Sequence, residues 1–155
     1  MPGRATVTTI FQTIAETLKI CGPAILGNGD IVHEITAQLV LVLGKKHPAQ
    51  VDDTDEEDLV HTDESSEFDW MLVDSAMDTL LALAVVLGPQ YKDVFGLAGP
   101  KLLKYVSSSE PRERAISVGV VADGIKYMEG AVTEFTDVCA TLLSRGLVAN
   151  FCSNC

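Results

Sequence analysis

WMLVDSAMDTLLALAVVLGP, residues 70–89, is the stretch whose reading decides the fold. Trp70, Val73, Met77, Leu80, Ala84 and Leu87 recur at three- and four-residue steps, and Leu72, Ala76 and Leu83 widen the stripe, while Asp74 and Asp78 fall on the other side. That period marks a helix with one broad apolar face. Gly88 and Pro89 then stop it, because glycine takes the left-handed conformation that closes a helix and proline cannot continue the ladder. The same punctuation stands at Gly22-Pro23, after a stripe of Val7, Ile10, Phe11, Ile14, Leu18 and Cys21. Two helices ended in the same way point to a unit that recurs.

Each closed helix is followed by another. Asp30 is placed to cap a helix striped by Ile31, Val32, Ile35, Leu39, Val42 and Leu43, with Glu34 in its first turn, Lys45 and Lys46 in its last, and Pro48 beyond. After Pro89 the segment 90–106 carries Tyr91, Val94, Phe95, Leu97, Leu102, Leu103 and Val106, and Gly96, Gly99 and Pro100 predict a kink or two short helices. Ser107, Ser108 and Ser109 make a polar turn, and Pro111 opens a fifth helix through Ala115, Val118, Ala122, Ile125 and Met128 that Gly130 closes. A sixth is expected over 132–144, with Phe135, Val138, Cys139, Leu142 and Leu143 on one side. No strand alternation competes. From Gly88 to Gly130 is 42 residues, and from Gly22 to Gly88 is 66, or roughly 46 once an acidic insertion of about 20 is set aside; both match the spacing of HEAT and armadillo units. The expected fold is all-α, an α-α superhelix or HEAT/armadillo-like solenoid of about three helical hairpins. Its repeats occupy 4–47, 67–106 and 107–145, with an acidic loop at 48–66 and an atypical tail at 146–155. A six-helix bundle around one closed centre is the alternative; short, broad-striped hairpins that need neighbours on both sides favour the stack.

Immediately upstream of the deciding stretch runs VDDTDEEDLVHTDESSEFD, residues 51–69. Asp52, Asp53, Asp55, Glu56, Glu57, Asp58, Asp63, Glu64, Glu67 and Asp69 are ten of the chain's 22 acidic residues, with no Lys or Arg among them. The formal charge of −11 is therefore local, and the remainder is nearly neutral. Like charges this dense repel one another, which predicts an extended, solvated segment. Two readings follow: a linker, and a docking surface for a basic partner built from these ten carboxylates. Ser66-Glu67-Phe68-Asp69 resembles a capping box that opens the third helix. Trp70, at the head of its stripe, reads as core before it reads as an anchor for a partner.

Several function classes drop out. With 155 residues and 47% hydrophobic content the chain has ample material for a core. The longest apolar runs, Leu39 to Leu43 and Leu80 to Leu87, fall short of the roughly 20 residues that cross a bilayer, and the N-terminus shows no apolar signal region. A soluble intracellular protein without membrane insertion is expected. Cys152 and Cys155 form a lone C-x-x-C with no second ligand pair, while Cys21 and Cys139 sit in apolar patterns, so no metal is expected. Asp53, Asp55 and Glu57 are spaced like a calcium loop that lacks its glycine, and the glycines of 22–29 follow a helix and lack Gly-Lys-Ser/Thr. His33, His47 and His61 have no triad partners at a telling spacing. Net negative charge opposes direct nucleic-acid binding. The reading is a non-enzyme with no catalytic residues and no cofactor.

Three segments carry a resemblance: IAETLKICG (14–22), the acidic run ending in Phe68-Asp69-Trp70, and LLKYVSSSEPRERAISVGVVADGIKYMEGAVTEFTD (102–137). Together they resemble the karyopherin-β (importin-β) family, with its fungal beta-four branch nearest, over about 10–137. The resemblance implies a piece from the C-terminal part of a much longer receptor that carries basic cargo such as ribosomal proteins or histones. It also implies Ran GTPase and phenylalanine-glycine nucleoporins as partners, and a life between cytoplasm, nuclear pore complex and nucleus. Ran contacts lie largely in N-terminal repeats of such receptors, so none is assigned here. CATLLSRGLVANFCSNC (139–155) departs from the family pattern. A non-transport HEAT scaffold and an acidic chaperone for basic proteins are the competing readings.

Overall fold

Each broad stripe must be covered, and in the computed structural model, which describes residues 3–27, 29–50 and 63–152, the cover comes from two helices further along the chain. The helices are α1 (Arg4–Cys21), α2 (Gly29–Leu43), α3 (Asp63–Leu87), α4 (Tyr91–Val106), α5 (Pro111–Met128) and α6 (Thr136–Cys152). Short 3-10 turns, Gly22–Gly27, Gly88–Gln90 and Glu129–Phe135, join the two helices of each pair. Among the described residues α1 packs along α3 and α3 along α5, while α2 packs along α4 and α4 along α6. No substantial packing joins α1 to α5 or α2 to α6. A closed bundle would need those contacts; a stack of hairpins does not. The chain is an all-α, HEAT-like solenoid with α1, α3 and α5 in one layer and α2, α4 and α6 in the other.

The stripes become the core between stacked helices. Phe11, Ala15 and Leu18 of α1 are buried with Leu72, Ala76, Leu80 and Leu83 of α3, and Leu39, Val42 and Leu43 of α2 with Leu102 and Val106 of α4. Two buried hydroxyls add direction between neighbouring units. Thr79 Oγ1 shares its proton between the Ser75 carbonyl of its own helix at 2.8 Å and the Phe11 carbonyl of α1 at 3.1 Å, and Tyr105 Oη donates to the Leu43 carbonyl at 3.0 Å. The second bond satisfies a carbonyl in the last turn of α2, which has no partner within its own helix. An 18-residue window of the helical stretch Asp69–Val106 has mean hydropathy 1.8, and 56% of it is buried against neighbouring helices, so much of this apolar surface serves as core.

The hairpin corners repeat at the level of the backbone. Gly22 and Gly88 both have φ +55°, as their Gly-Pro punctuation predicts. The third corner differs: Glu129, not Gly130, takes the positive angle, with φ 50° and ψ −128°. From Gly88 to Glu129 is 41 residues, one fewer than the Gly130 marker gives.

Other boundaries also move. Helix α3 starts at Asp63, before the capping box at Ser66. Helix α2 starts at Gly29, so Asp30 lies inside its first turn rather than capping it. Its C-terminus comes at Leu43, and Lys45 beyond it adopts φ 55° while Lys46 N–H bonds the Leu41 carbonyl, closing the helix without glycine at that position. Helix α4 is one continuous element through Pro100. Its glycines admit aromatic rings instead: a Cβ at Gly99 would stand 3.2 Å from the Phe95 ring, and one at Gly96 would stand 3.5 Å from Phe135. Helix α6 begins at Thr136 and runs to Cys152, beyond the expected end near Ser144. Gly146 is a point of close approach, since a Cβ there would lie 2.6 Å from Val118 of α5.

Candidate functional site

The ten carboxylates of the acidic run do not share one setting. Asp52, Asp53, Asp55, Glu56, Glu57 and Asp58 lie outside the described residues. Asp63 and Glu64 belong to the first turn of α3, and Glu67 is exposed on the same helix. Asp69 is drawn inward: its Oδ2 is 3.0 Å from Lys45 Nζ and its Oδ1 accepts a bond from Gln50 Nε2 at 2.9 Å.

The helix order explains where this stretch attaches. The chain leaves the end of α2, makes the 3-10 turn Pro48–Gln50, and re-enters at the start of α3, so both flanks meet beside the end of α4. Lys45, Lys46, Lys101 and Lys104 are exposed, and Lys104 is depressed below the usual lysine range by burial first, then by the nearby Lys45, with Asp69 pulling the other way. Arg112 of α5 stacks on Trp70, its guanidinium carbon 5.5 Å from the ring centroid. Trp70 is half-buried against the core, as its place in the stripe predicts. His47 is buried, burial pushes its imidazole below the usual histidine range, and its Nδ1 accepts the Ala49 N–H at 3.1 Å. The edge from which the acidic stretch departs is thus lined with cations.

Among the grooves between the stacked helices, two bring polar and apolar side chains together. One, of about 480 Å³, lies between α2 and α4, with Val32, Thr36, Val86, Leu87, Val94 and Leu97 beside His33, Gln90 and Asp93. Leu97 at 53% exposure and Ile31 at 41% leave apolar surface on these helices, although the periodicity assigns both to buried stripes. The other, of about 340 Å³, lies on the α1, α3 and α5 layer and brings Asp74, Asp78 and Asp123 beside Met77, Leu81, Ile116 and Val120. Burial raises the Asp74 carboxyl above the ordinary range, against the opposing pull of Arg112. Asp78 is shared with Lys19, whose ammonium it holds at 3.1 Å and raises above the usual lysine range. Among the described residues no cluster of His, Cys, Asp and Glu could hold a metal ion; Cys21 is exposed, Cys139 is buried with its thiol raised by that burial, and Cys155 lies outside the described residues.

Among the described residues, the periodicity reading missed the most buried charge. Arg114 is 3% exposed and donates from Nη1 to the carbonyls of Ser108 and Ser109 at 2.7 and 2.8 Å, pinning the turn between α4 and α5. Its only sequence signal is its position four residues before Val118 and three after Pro111, and arginine there reads as surface.

No family model matches the chain. It is similar to the probable importin subunit beta-4 of Schizosaccharomyces pombe, 40% identical over 102 residues that cover 61% of this chain. That match spans 10% of the relative's length.

Proposed function

We propose, from a likeness that supports the karyopherin-β family and a fragment-like span of it, that this chain is a segment of a nuclear transport receptor that attracts basic cargo. The observation that carries the reading is the coincidence of that likeness with a hairpin stack in which residues 52–69, from the connection after α2 into the start of α3, carry ten carboxylates. A lysine- or arginine-rich protein, such as a ribosomal protein or histone, gains many weak contacts to such a run. Each exposed pair contributes little, so strength comes from number, and long-range attraction raises the encounter rate.

The groove of about 480 Å³ between α2 and α4 offers an apolar cleft for a phenylalanine side chain, which suits phenylalanine-glycine nucleoporins. Ran GTPase as the releasing partner, and movement between cytoplasm and nucleus through the pore, belong to the same proposal. A HEAT scaffold or an acidic chaperone would share the fold and the charge. Binding of a phenylalanine-glycine repeat peptide separates them: the receptor reading expects saturable binding that a Leu97→Asp variant weakens. Absence of binding by the folded wild-type chain would remove the transport reading and leave the other two.

A further inference from the structure

We propose that Asp69 is a positioning residue, the centre of a clasp that ties both ends of the acidic stretch to one edge of the helical stack. This deepens the docking reading above and rests on it only for its functional half. Both oxygens of the Asp69 carboxylate are committed to residues that precede the stretch: Oδ2 to Lys45 Nζ at 3.0 Å, and Oδ1 to Gln50 Nε2 at 2.9 Å. Its side chain is 20% exposed, whereas Glu67, two residues earlier on the same helix, is exposed.

The upstream end is itself held. Gln50 N–H donates to the His47 carbonyl at 2.8 Å, and the Gln50 carbonyl accepts from an Arg4 Nη2 at 3.4 Å. The buried His47 ring accepts the Ala49 N–H. Three separate elements therefore meet at the base of the acidic stretch: the start of α1, the turn Pro48–Gln50 and the first turns of α3.

The clasp has two consequences. Asp69's charge is answered within the chain, so it adds less to attraction of a basic partner than its place in the run implies. The entropy of bringing the two ends together is met during folding, and a partner then encounters a pre-organised base instead of having to order it.

The test compares Lys45→Met, Asp69→Ala and their combination with Glu67→Ala, which makes the same charge change as Asp69→Ala outside the clasp. Hydrogen exchange is read at the amides of residues 44–50, with the amides of α4 as reference. Asp69→Ala should accelerate exchange at 44–50 by about tenfold, Lys45→Met by less because the Gln50 bond survives, the double variant should match Asp69→Ala, and Glu67→Ala should leave the rates alone. Unchanged rates in the single variants, or additive effects in the double, overturn the clasp. A lysine-rich peptide supplies the second readout. Lys45→Met makes the chain one unit more negative, so a purely electrostatic role predicts tighter binding. Positioning predicts binding no tighter than wild type, and a tighter complex overturns it. If the wild-type chain does not bind the peptide at all, the docking reading falls while the exchange result stands or falls on its own.

Discussion

Replacing Glu129 by glycine should stabilise the chain. Its φ of 50° and ψ of −128° lie in a region open to glycine and costly to other residues, on the order of 1–3 kcal/mol. Glycine also gives back roughly 0.5–1 kcal/mol through the freedom it adds to the unfolded chain. The net gain is about 1 kcal/mol, and for a chain near this size that raises Tm by about 2–4 °C. Glu129 is exposed and closes α5, so removing its negative charge from a helix C-terminus adds a few tenths in the same direction. Glu129→Gln isolates that charge contribution. Gly88→Ala is the mirror experiment: its new Cβ would find only the Tyr127 carbonyl, at 3.9 Å, so any loss is conformational and should be about 1–2 kcal/mol. Thermal melts followed by far-ultraviolet circular dichroism read all three. A Glu129→Gly variant with unchanged or lower Tm, or a Gly88→Ala variant as stable as wild type, would refute the claim that the three hairpin corners share a positive φ.

Thr79→Val and Tyr105→Phe each remove one bond between neighbouring units and should cost about 1 kcal/mol in urea unfolding, more where the abandoned carbonyl stays dry. Gly146→Ala should destabilise by about 1–3 kcal/mol because its methyl collides with Val118, and Val118→Ala in the same chain should recover much of the loss; a neutral Gly146→Ala would mean that α6 does not reach this far. Burial raises the Tyr91 and Tyr105 phenols above their usual range, so the folded chain binds more protons than the unfolded one at high pH. The contribution of these two phenols to stability should be constant below pH 10 and fall above it, with phenolate absorbance from these two rings appearing only on unfolding; their normal titration in the folded chain would contradict this burial.

The features most legible in the sequence were those written in side-chain period and in glycine followed by proline. The stripe from Trp70 to Leu87 with its Gly88-Pro89 stop located α3 and its corner, and Val7 to Gly22 did the same for α1. What failed was inference from isolated helix breakers. Gly96, Gly99 and Pro100 read as interruptions, yet Gly96 lets α4 approach Phe135, and Gly99 leaves room for the Phe95 ring of its own helix; Gly146 likewise lets α6 approach Val118, and the partners Phe135 and Val118 lie on other elements of the chain. Glu129 was invisible as a corner because nothing local marks glutamate for a left-handed backbone. Of the acidic run, composition located the charge but could not tell that Asp69 turns inward to Lys45 and Gln50, since that depends on two chain ends meeting at one edge.

The most direct measurement of the central claim is the salt dependence of binding to a lysine-rich peptide. It compares the wild-type chain with one in which Asp52, Asp53, Asp55, Glu56, Glu57 and Asp58 are replaced by Asn and Gln. We expect Kd to rise steeply with salt for the wild type, and both affinity and slope to fall sharply in the neutralised variant while its helical content and melt stay the same. Equal affinity and equal slope in the two proteins would show that the acidic stretch only connects α2 to α3.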